Sequence, residues 1–394
     1  MKFTCVWIVN LLLLWLPAHA APALAPTPDA ANVIRVGPER ATKTIAAAAN
    51  AARHGTIVEV DSGEYVGDVA VWTQDQITVR AVGGRVKLVA GGASAEGKAI
   101  WVVRGGQMSV EGFNFSGARA PDKNGAGIRF ERGHLKIDNC SFTNNENGIL
   151  TSNQADAKLD IKNSEFGFNG HGDGQSHNLY VGSIARLSVK GSYFHHARVG
   201  HLLKSRAAEN HIFYNRLTDE VGGTASYELE FPAGGIAYVV GNIIEQGSQT
   251  QNPHIISFGA EGYTGSRNEL YLVNNTLNDN RPQGGIFLRV KPGDVTLKAV
   301  NNLLIGSGKL DSAGPGVFQN NFNVGWDTFE LLVRDDYRLK PTSGLVGKAV
   351  DPSTANGVNL RPQAEYSHPR STRAIPAGRH NPGALQSMQP SAAP

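Results

Sequence analysis

The chain has 394 residues, a formal net charge of +3 at neutral pH and two cysteines. A charge so near zero excludes the basic footprint of a nucleic-acid-binding domain. Two cysteines exclude a disulfide-framed fold, so burial has to hold the molecule together.

The chain opens MKFTCVWIVNLLLLWLPAHA, with Lys2 ahead of an apolar run from Val6 to Leu16 and small residues Ala18 and Ala20 at its end. This pattern predicts a signal peptide over 1–20, cleaved after Ala20, and a protein that is secreted or periplasmic. The run is short for a membrane span, and no later segment approaches the ~20 apolar residues one needs. Removal of Lys2 with the signal leaves a charge of +2, and Cys5 leaves with it. Cys140 then has no intramolecular partner and reads as a small buried hydrophobe. Segment 21–32, rich in Ala and Pro, reads as a flexible leader.

Residues 42–53 carry a short amphipathic helix, followed by Gly55 and a strand at 56–61. From about residue 77 one unit recurs: a short apolar strand, a Gly or Asn, then an apolar anchor. It reads LKIDNCSF, LDIKNSEF, LSVKGSYF, HIFYNRL, AYVVGNII, LYLVNNTL and LKAVNNLL. The anchors Phe115, Phe142, Phe166, Phe194, Leu217, Ile244, Leu277 and Leu304 are separated by 27, 24, 28, 23, 27, 33 and 27 residues. Irregular periods of this size, without helical patterning between strands, predict a β-solenoid of about ten coils. Each unit holds a further strand: AGIRFE, NGILTS, HNLYVG, HLLKSR, SYELEF, HIISFG and GIFLRV. The predicted fold is therefore all-β, a right-handed parallel β-helix over 33–360 with an N-terminal capping helix. Residues 361–394 read as an irregular cap and tail over the last coil. Asn139, Asn163, Asn215, Asn242, Asn274 and Asn301 recur at or next to one position and are expected to form a structural amide ladder between coils.

The opening TIAAAANAARHGTIVEVDSGEYVGDV and the closing DYRLKPTSGLVGKAVD and HNPGAL resemble the ends of pectate-lyase-like β-helix proteins, over most of 33–386. That resemblance implies the superfold and, more loosely, polysaccharide lyases that use a Lys or Arg base on an outward strand face with calcium or another cation against the substrate carboxylate. Calcium is the one cofactor it allows, but the sequence has no compact Asp cluster to hold it.

Strand alternation assigns faces. In HLLKSR it turns Lys204 and Arg206 outward, and in SYELEF it turns Glu228 and Glu230 outward. Aligning coils predicts an outward column of Tyr180, Lys204, Glu228 and Arg289, with Asn178, Arg206 and Glu230 beside it. Eliminative cleavage of a uronate polymer needs the sugar carboxylate neutralised and a base for the C5 proton. Arg206 suits the carboxylate through its planar fork. Lys204 next to a second cation suits the base, and Tyr180 suits the leaving oxygen. Asn178, Glu228, Glu230, Arg289 and His201 are the candidate substrate contacts. The plain alternative is a solvated face in which Lys204 and an acid one coil away form a surface ion pair.

His177, His201 and His254 start equivalent strands and are expected to form a hydrogen-bonded ladder. His195 and His196 precede the Lys204 strand, and His196 at the groove edge is a second acid–base candidate. None of these histidines has zinc-ligand spacing.

The leading expectation is a secreted, monomeric enzyme cleaving an acidic polysaccharide by β-elimination, with no nucleic-acid partner. The competing readings are C5-epimerisation, which shares the proton abstraction; inverting glycoside hydrolysis, with Glu228 and Glu230 as the carboxyl pair; and a non-catalytic glycan-binding or cell-surface protein. The charges concentrate around 177–230, and the longest gap, Ile244 to Leu277, places a loop, QGSQTQN or GAEGYTGSRN, nearby, which favours an enzyme.

Overall fold

The computed structural model describes Met1 and residues 32–387, apart from 309, 311–313, 332–335, 376 and 379. Residues 2–20 of the expected signal peptide, with Cys5, and all of the expected leader except Asn32 lie outside the described residues.

The chain winds into a parallel β-helix. Each coil contributes a first strand, a short second strand after a one- or two-residue bend, and a third strand after a longer turn. In the coil around residue 200 these are Arg186–Lys190, Tyr193–His195 and Leu203–Ser205. The first and second strands share one continuous 21-stranded sheet, and the third strands build a nine-stranded sheet from Ala70–Trp72 to Ile286–Val290. Every pairing between coils is parallel, as in Phe142↔Phe166 and Tyr180↔Lys204.

The anchor residues stack in register along the second strands, from Phe115 through Leu304. Phe115, Phe142, Phe166 and Phe194 lie ring on ring with centroids 4.9, 4.8 and 4.7 Å apart. That is the strand spacing itself, so one aromatic per coil tiles the core without a gap. Aliphatic anchors continue the column, all buried.

The asparagines resolve into two adjacent columns. Asn215, Asn242, Asn275, Asn302 and Asn321 form an amide ladder, each Nδ2 donating to the next Oδ1 at 2.8–3.1 Å. Each Nδ2 also donates to a strand carbonyl, as Asn242 does to Ile212. Asn139, Asn163, Asn274 and Asn301 sit in the bends with φ of 49°, 47°, 52° and 60°. Asn is among the few side chains that take that left-handed conformation readily.

The helix Ile45–Ala51, capped by Thr44, buries Ile45, Ala48 and Ala49 against the first coil. Its first two amides donate to Asp68, which satisfies donors a helix start leaves open. Cys140 is buried and free, and burial pushes its thiol up to about 12. The C-terminal stretch covers more than the last coil. Its hairpin of Ala364–Ser367 and Ser371–Ala374 runs back along the second-strand face. There Tyr337, Leu339, Tyr366 and Leu385 pack on Ile243, Leu303 and Ile305, while Arg370 reaches Glu165.

Candidate functional site

On the nine-stranded sheet the outward column runs Arg129, Leu150, Tyr180, Lys204, Glu230, Ser257 and Arg289. The sequence expectation holds for Tyr180, Lys204 and Arg289, but Glu230, rather than Glu228, faces Lys204. Glu228 is fully buried inside the solenoid. It occupies the register position just ahead of Leu229, at the bend into the straight part of the strand, shared with Asn178, Leu202, Ile255 and Phe287, which are all buried. At that bend two successive residues point inward, so strict alternation fails.

Asn178 is corrected for the same reason. It is buried, accepting from Asn169 and donating to the carbonyls of Phe166 and His195. A side chain with those partners extends an inner ladder and does not meet a polymer. With Glu228 inside, the Glu228 and Glu230 pair required for hydrolysis across an outer groove does not exist.

Around Lys204 the outward groups form a closed circuit. Lys204 Nζ stands 3.4 Å from Glu230 Oε2 and 3.2 Å from Glu261 Oε1. Arg206 grips both oxygens of Glu261 through Nε at 2.9 Å and Nη2 at 2.6 Å, and its Nη1 donates to the Tyr180 hydroxyl at 2.7 Å. Both cations also lie over the Tyr180 ring, at 5.8 and 5.2 Å from its centroid. Because Tyr180 accepts from Arg206, its own hydroxyl hydrogen is available to an incoming oxygen.

Beneath this layer, His201 Nε2 meets Glu230 Oε2 at 2.8 Å, and the His201 backbone N–H donates to His177 Nδ1 at 2.9 Å. The rings of His177 and His201 lie 4.4 Å apart. The expected link between them is present, but Tyr227 comes between His201 and His254. Burial draws His177 well below its ordinary value, with the charges of His201, Lys204 and Arg206 adding to it. Burial also lowers His201 and outweighs Glu230. For Glu230 itself burial acts upward, yet the His201 hydrogen bond and Lys204 hold it below the usual carboxylate range. The consistent arrangement is an ionised Glu230 accepting from a neutral His201.

One member of the cluster, Glu261, escapes the sequence reading. Glu261 comes from the loop in the longest gap, whose length is its only sequence signal. Tyr263 fixes that loop by seating on Gly234, Gly259 and Gly293, where any Cβ would press on its ring. His254 donates from Nδ1 to Asn252 Oδ1 at 2.9 Å, and burial keeps it below its ordinary value. Its Nε2 is therefore a lone-pair acceptor on the same side of the molecule as Arg289.

His196 does not join Lys204. It lies at the end of the second-strand face, its Nδ1 2.8 Å from His195 Nδ1 and its ring stacked on Phe168. His195 Nε2 in turn faces Glu165 at 3.4 Å, and Arg370 holds that carboxylate from the other side.

Calcium needs six to eight oxygens. On the outward cluster both carboxylates, Glu230 and Glu261, are already engaged by Lys204, Arg206 and His201. No group of three or more His, Cys, Asp or Glu side chains among the described residues is placed to hold a metal ion. The residues present do not fit calcium. The buried acids Asp219, Glu228 and Asp279 lie inside the coil, where burial raises all three, Asp219 to about 8.

No family pattern matches the chain, and no curated protein sequence matches it. Among solved structures, the crystal structure of pectate lyase Pel9A is similar, with a TM-score of 0.59 and 13% identity over 91% of this chain and 97% of that one. The chain thus has the pectate-lyase-like parallel β-helix fold. Among the described residues no helix is long and apolar enough to cross a membrane.

Proposed function

We propose that the protein is an exported polysaccharide-active enzyme that cleaves a uronate-containing polymer by β-elimination at the Lys204 cluster. The observation that carries the reading is that Lys204 and Arg206 share one carboxylate, Glu261, with the Tyr180 hydroxyl bonded to the same guanidinium. A uronate has that carboxylate on C5, next to the carbon whose substituent leaves. Arg206 binds the carboxylate through its fork, which makes the C5 proton acidic. Lys204 takes the C5 proton; the electron pair forms the C4–C5 double bond as the C4–O bond breaks, and Tyr180 supplies a proton to the departing oxygen. His177, His201 and Glu230 position Lys204 from below. Export is read from residues 1–20.

A second reading, binding without cleavage, is favoured by the placement of Lys204 between two carboxylates. That setting suits a carboxylate-binding cation better than a proton acceptor. One experiment separates the two. Purified mature protein is mixed with pectate, alginate, glycosaminoglycans and glucuronan, and the ultraviolet absorbance of unsaturated uronate is followed. A rise that Lys204→Ala removes is the expected result. Retention of an acidic polymer without any rise would establish the binding reading instead.

A further inference from the structure

Glu261 plays no part in the elimination chemistry, yet it is the outermost member of the cluster. Its side chain is 47% exposed, whereas those of Lys204 and Arg206 are 14% and 19% exposed. It therefore covers both cations from the solvent side, the direction from which a polymer arrives. Its carboxylate stays ionised, since Arg206 and Lys204 outweigh the effect of burial. The Nε and Nη2 grip by Arg206 is the two-oxygen geometry that a guanidinium offers to any carboxylate.

We propose that Glu261 is a built-in competitor: it occupies the carboxylate position on Arg206 and Lys204, and an acidic sugar residue binds by displacing it and seating its ring in the adjoining cleft. The proposal rests on the acidic-glycan reading above and adds how that site is gated.

The loop around Glu261 does not depend on this ion pair. The Glu261 amide donates to Pro232, Gly262 to Gly259 and Thr264 to Ala233, and Tyr263 is locked over its glycines while its hydroxyl donates to the Lys291 carbonyl. A carboxylate that served only to fix the loop would be redundant. With the backbone held, displacement needs no more than rotation of one unbranched side chain about its own torsions.

The cleft beside it has a volume of about 350 Å³, at the lower end of the range for small-molecule sites of about 300–1,000 Å³. Arg206 lies in its wall, so the anion position and the cleft share a residue. Its floor is Ala207, Ala208, Ala233 and Gly235, and Thr264–Arg267 of the Glu261 loop close one side. Small residues leave the width that a pyranose ring needs. Arg267, although paired with Glu269, adds a second positive group.

The test uses the full mature protein and calorimetric titration with short oligomers of galacturonate, mannuronate and glucuronate, and with neutral cello-oligomers. Glu261→Gln keeps the shape and removes the competing charge. It is expected to bind at least one acidic oligomer about fivefold more tightly than wild type, the factor given by losing an exposed competing ion pair, with neutral oligomers unchanged. Ala208→Trp, at an exposed position that fills the cleft, is expected to abolish binding of the same oligomer. Equal or weaker acidic binding by Glu261→Gln would make Glu261 a positioning residue for Arg206 and overturn the proposal, leaving the acidic-glycan site standing. Unchanged binding by Ala208→Trp would remove the cleft from it. Binding of no acidic oligomer by any of the proteins would overturn both readings.

Discussion

Lys204 and Glu230 are register partners on adjoining coils, and their charged atoms meet at 3.4 Å on a face from which water is largely excluded. Glu230 also accepts from His201, so its removal leaves the buried His201 Nε2–H without its acceptor and Lys204 with Glu261 alone. Breaking a buried pair costs more than the pair is worth, because the remaining charge stays behind. Glu230→Ala is expected to lose about 2–4 kcal/mol, read as a lower denaturant midpoint. Glu230→Gln, which can still accept from His201, should lose less. Equal losses would show that the charge, not the hydrogen bond, is the main element.

The contribution of Asp219 to stability should fall as pH rises from about 4 towards 8. Asp219 has an ordinary value of 3.8 and is raised by burial to about 8. An acid whose value is raised on folding contributes fully below its unfolded value and loses that contribution as pH climbs through the folded one. Glu228 and Asp279 are raised as well and act in the same sense. Glu165, Glu230 and Glu261 are lowered, so their contribution is lost in acid instead. His177, His201 and His254 are lowered by burial and act oppositely, costing stability in acid that is regained as pH rises to their ordinary value of 6.5, so the Asp219 effect is read above that pH. Asp219→Asn, which keeps an acceptor for the Ala225 amide, should flatten the alkaline limb by up to about 5 kcal/mol. An unchanged slope in that variant would place the effect elsewhere.

The coils were legible because burial repeats. Each anchor from Phe115 to Leu304 must meet its counterpart one strand spacing away, and that requirement leaves the same residue class at the same place in every unit. The outward column was legible only within the straight part of each third strand, where Tyr180, Lys204 and Arg289 alternate cleanly. It failed at the bend, where two successive residues turn inward. The signal was present in the doublets Leu202–Leu203, Ile255–Ile256 and Phe287–Leu288, whose partners in the other coils are Asn178–Leu179 and Glu228–Leu229. Polar residues at buried bend positions hid the rule. Glu261 could not be placed, because a loop of irregular length has no repeat to register it.

The amide ladder makes a prediction about the coil stack itself. Asn242 Oδ1 accepts from both the backbone amide and Nδ2 of Asn215, and its Nδ2 serves Ile212 and Asn275. Asn242→Ala leaves the Asn215 amide buried without a partner and removes one donor from the Ile212 carbonyl, which keeps its ladder bond to the next coil. The expected loss is about 2–4 kcal/mol, seen as a lower melting temperature and as faster amide exchange at Asn215. Asn139→Ala, in the bend column, loses only an exposed acceptor for Arg85 and should cost less, acting mainly through backbone strain at φ 49°. Equal exchange at Asn215 in wild type and Asn242→Ala would show that the ladder is not what protects the bend.

Arg206 and a lysine carry the same charge, so Arg206→Lys isolates geometry. The native guanidinium holds two carboxylate oxygens and the Tyr180 hydroxyl at once. An ammonium on a shorter reach is a point charge that cannot span all three. If β-elimination is the activity, the substrate carboxylate and the leaving oxygen are set by that one planar group, and the variant should lose about 100-fold in kcat/KM. Tyr180→Phe should act differently, lowering kcat with little change in KM, because the phenol hydrogen is needed only as the C4–O bond breaks. A Tyr180→Phe enzyme with a raised KM and an unchanged kcat would assign Tyr180 to sugar binding and leave the leaving oxygen to water. The pair of variants thus separates carboxylate recognition from proton donation, two roles that the Arg206–Tyr180 hydrogen bond joins in one place.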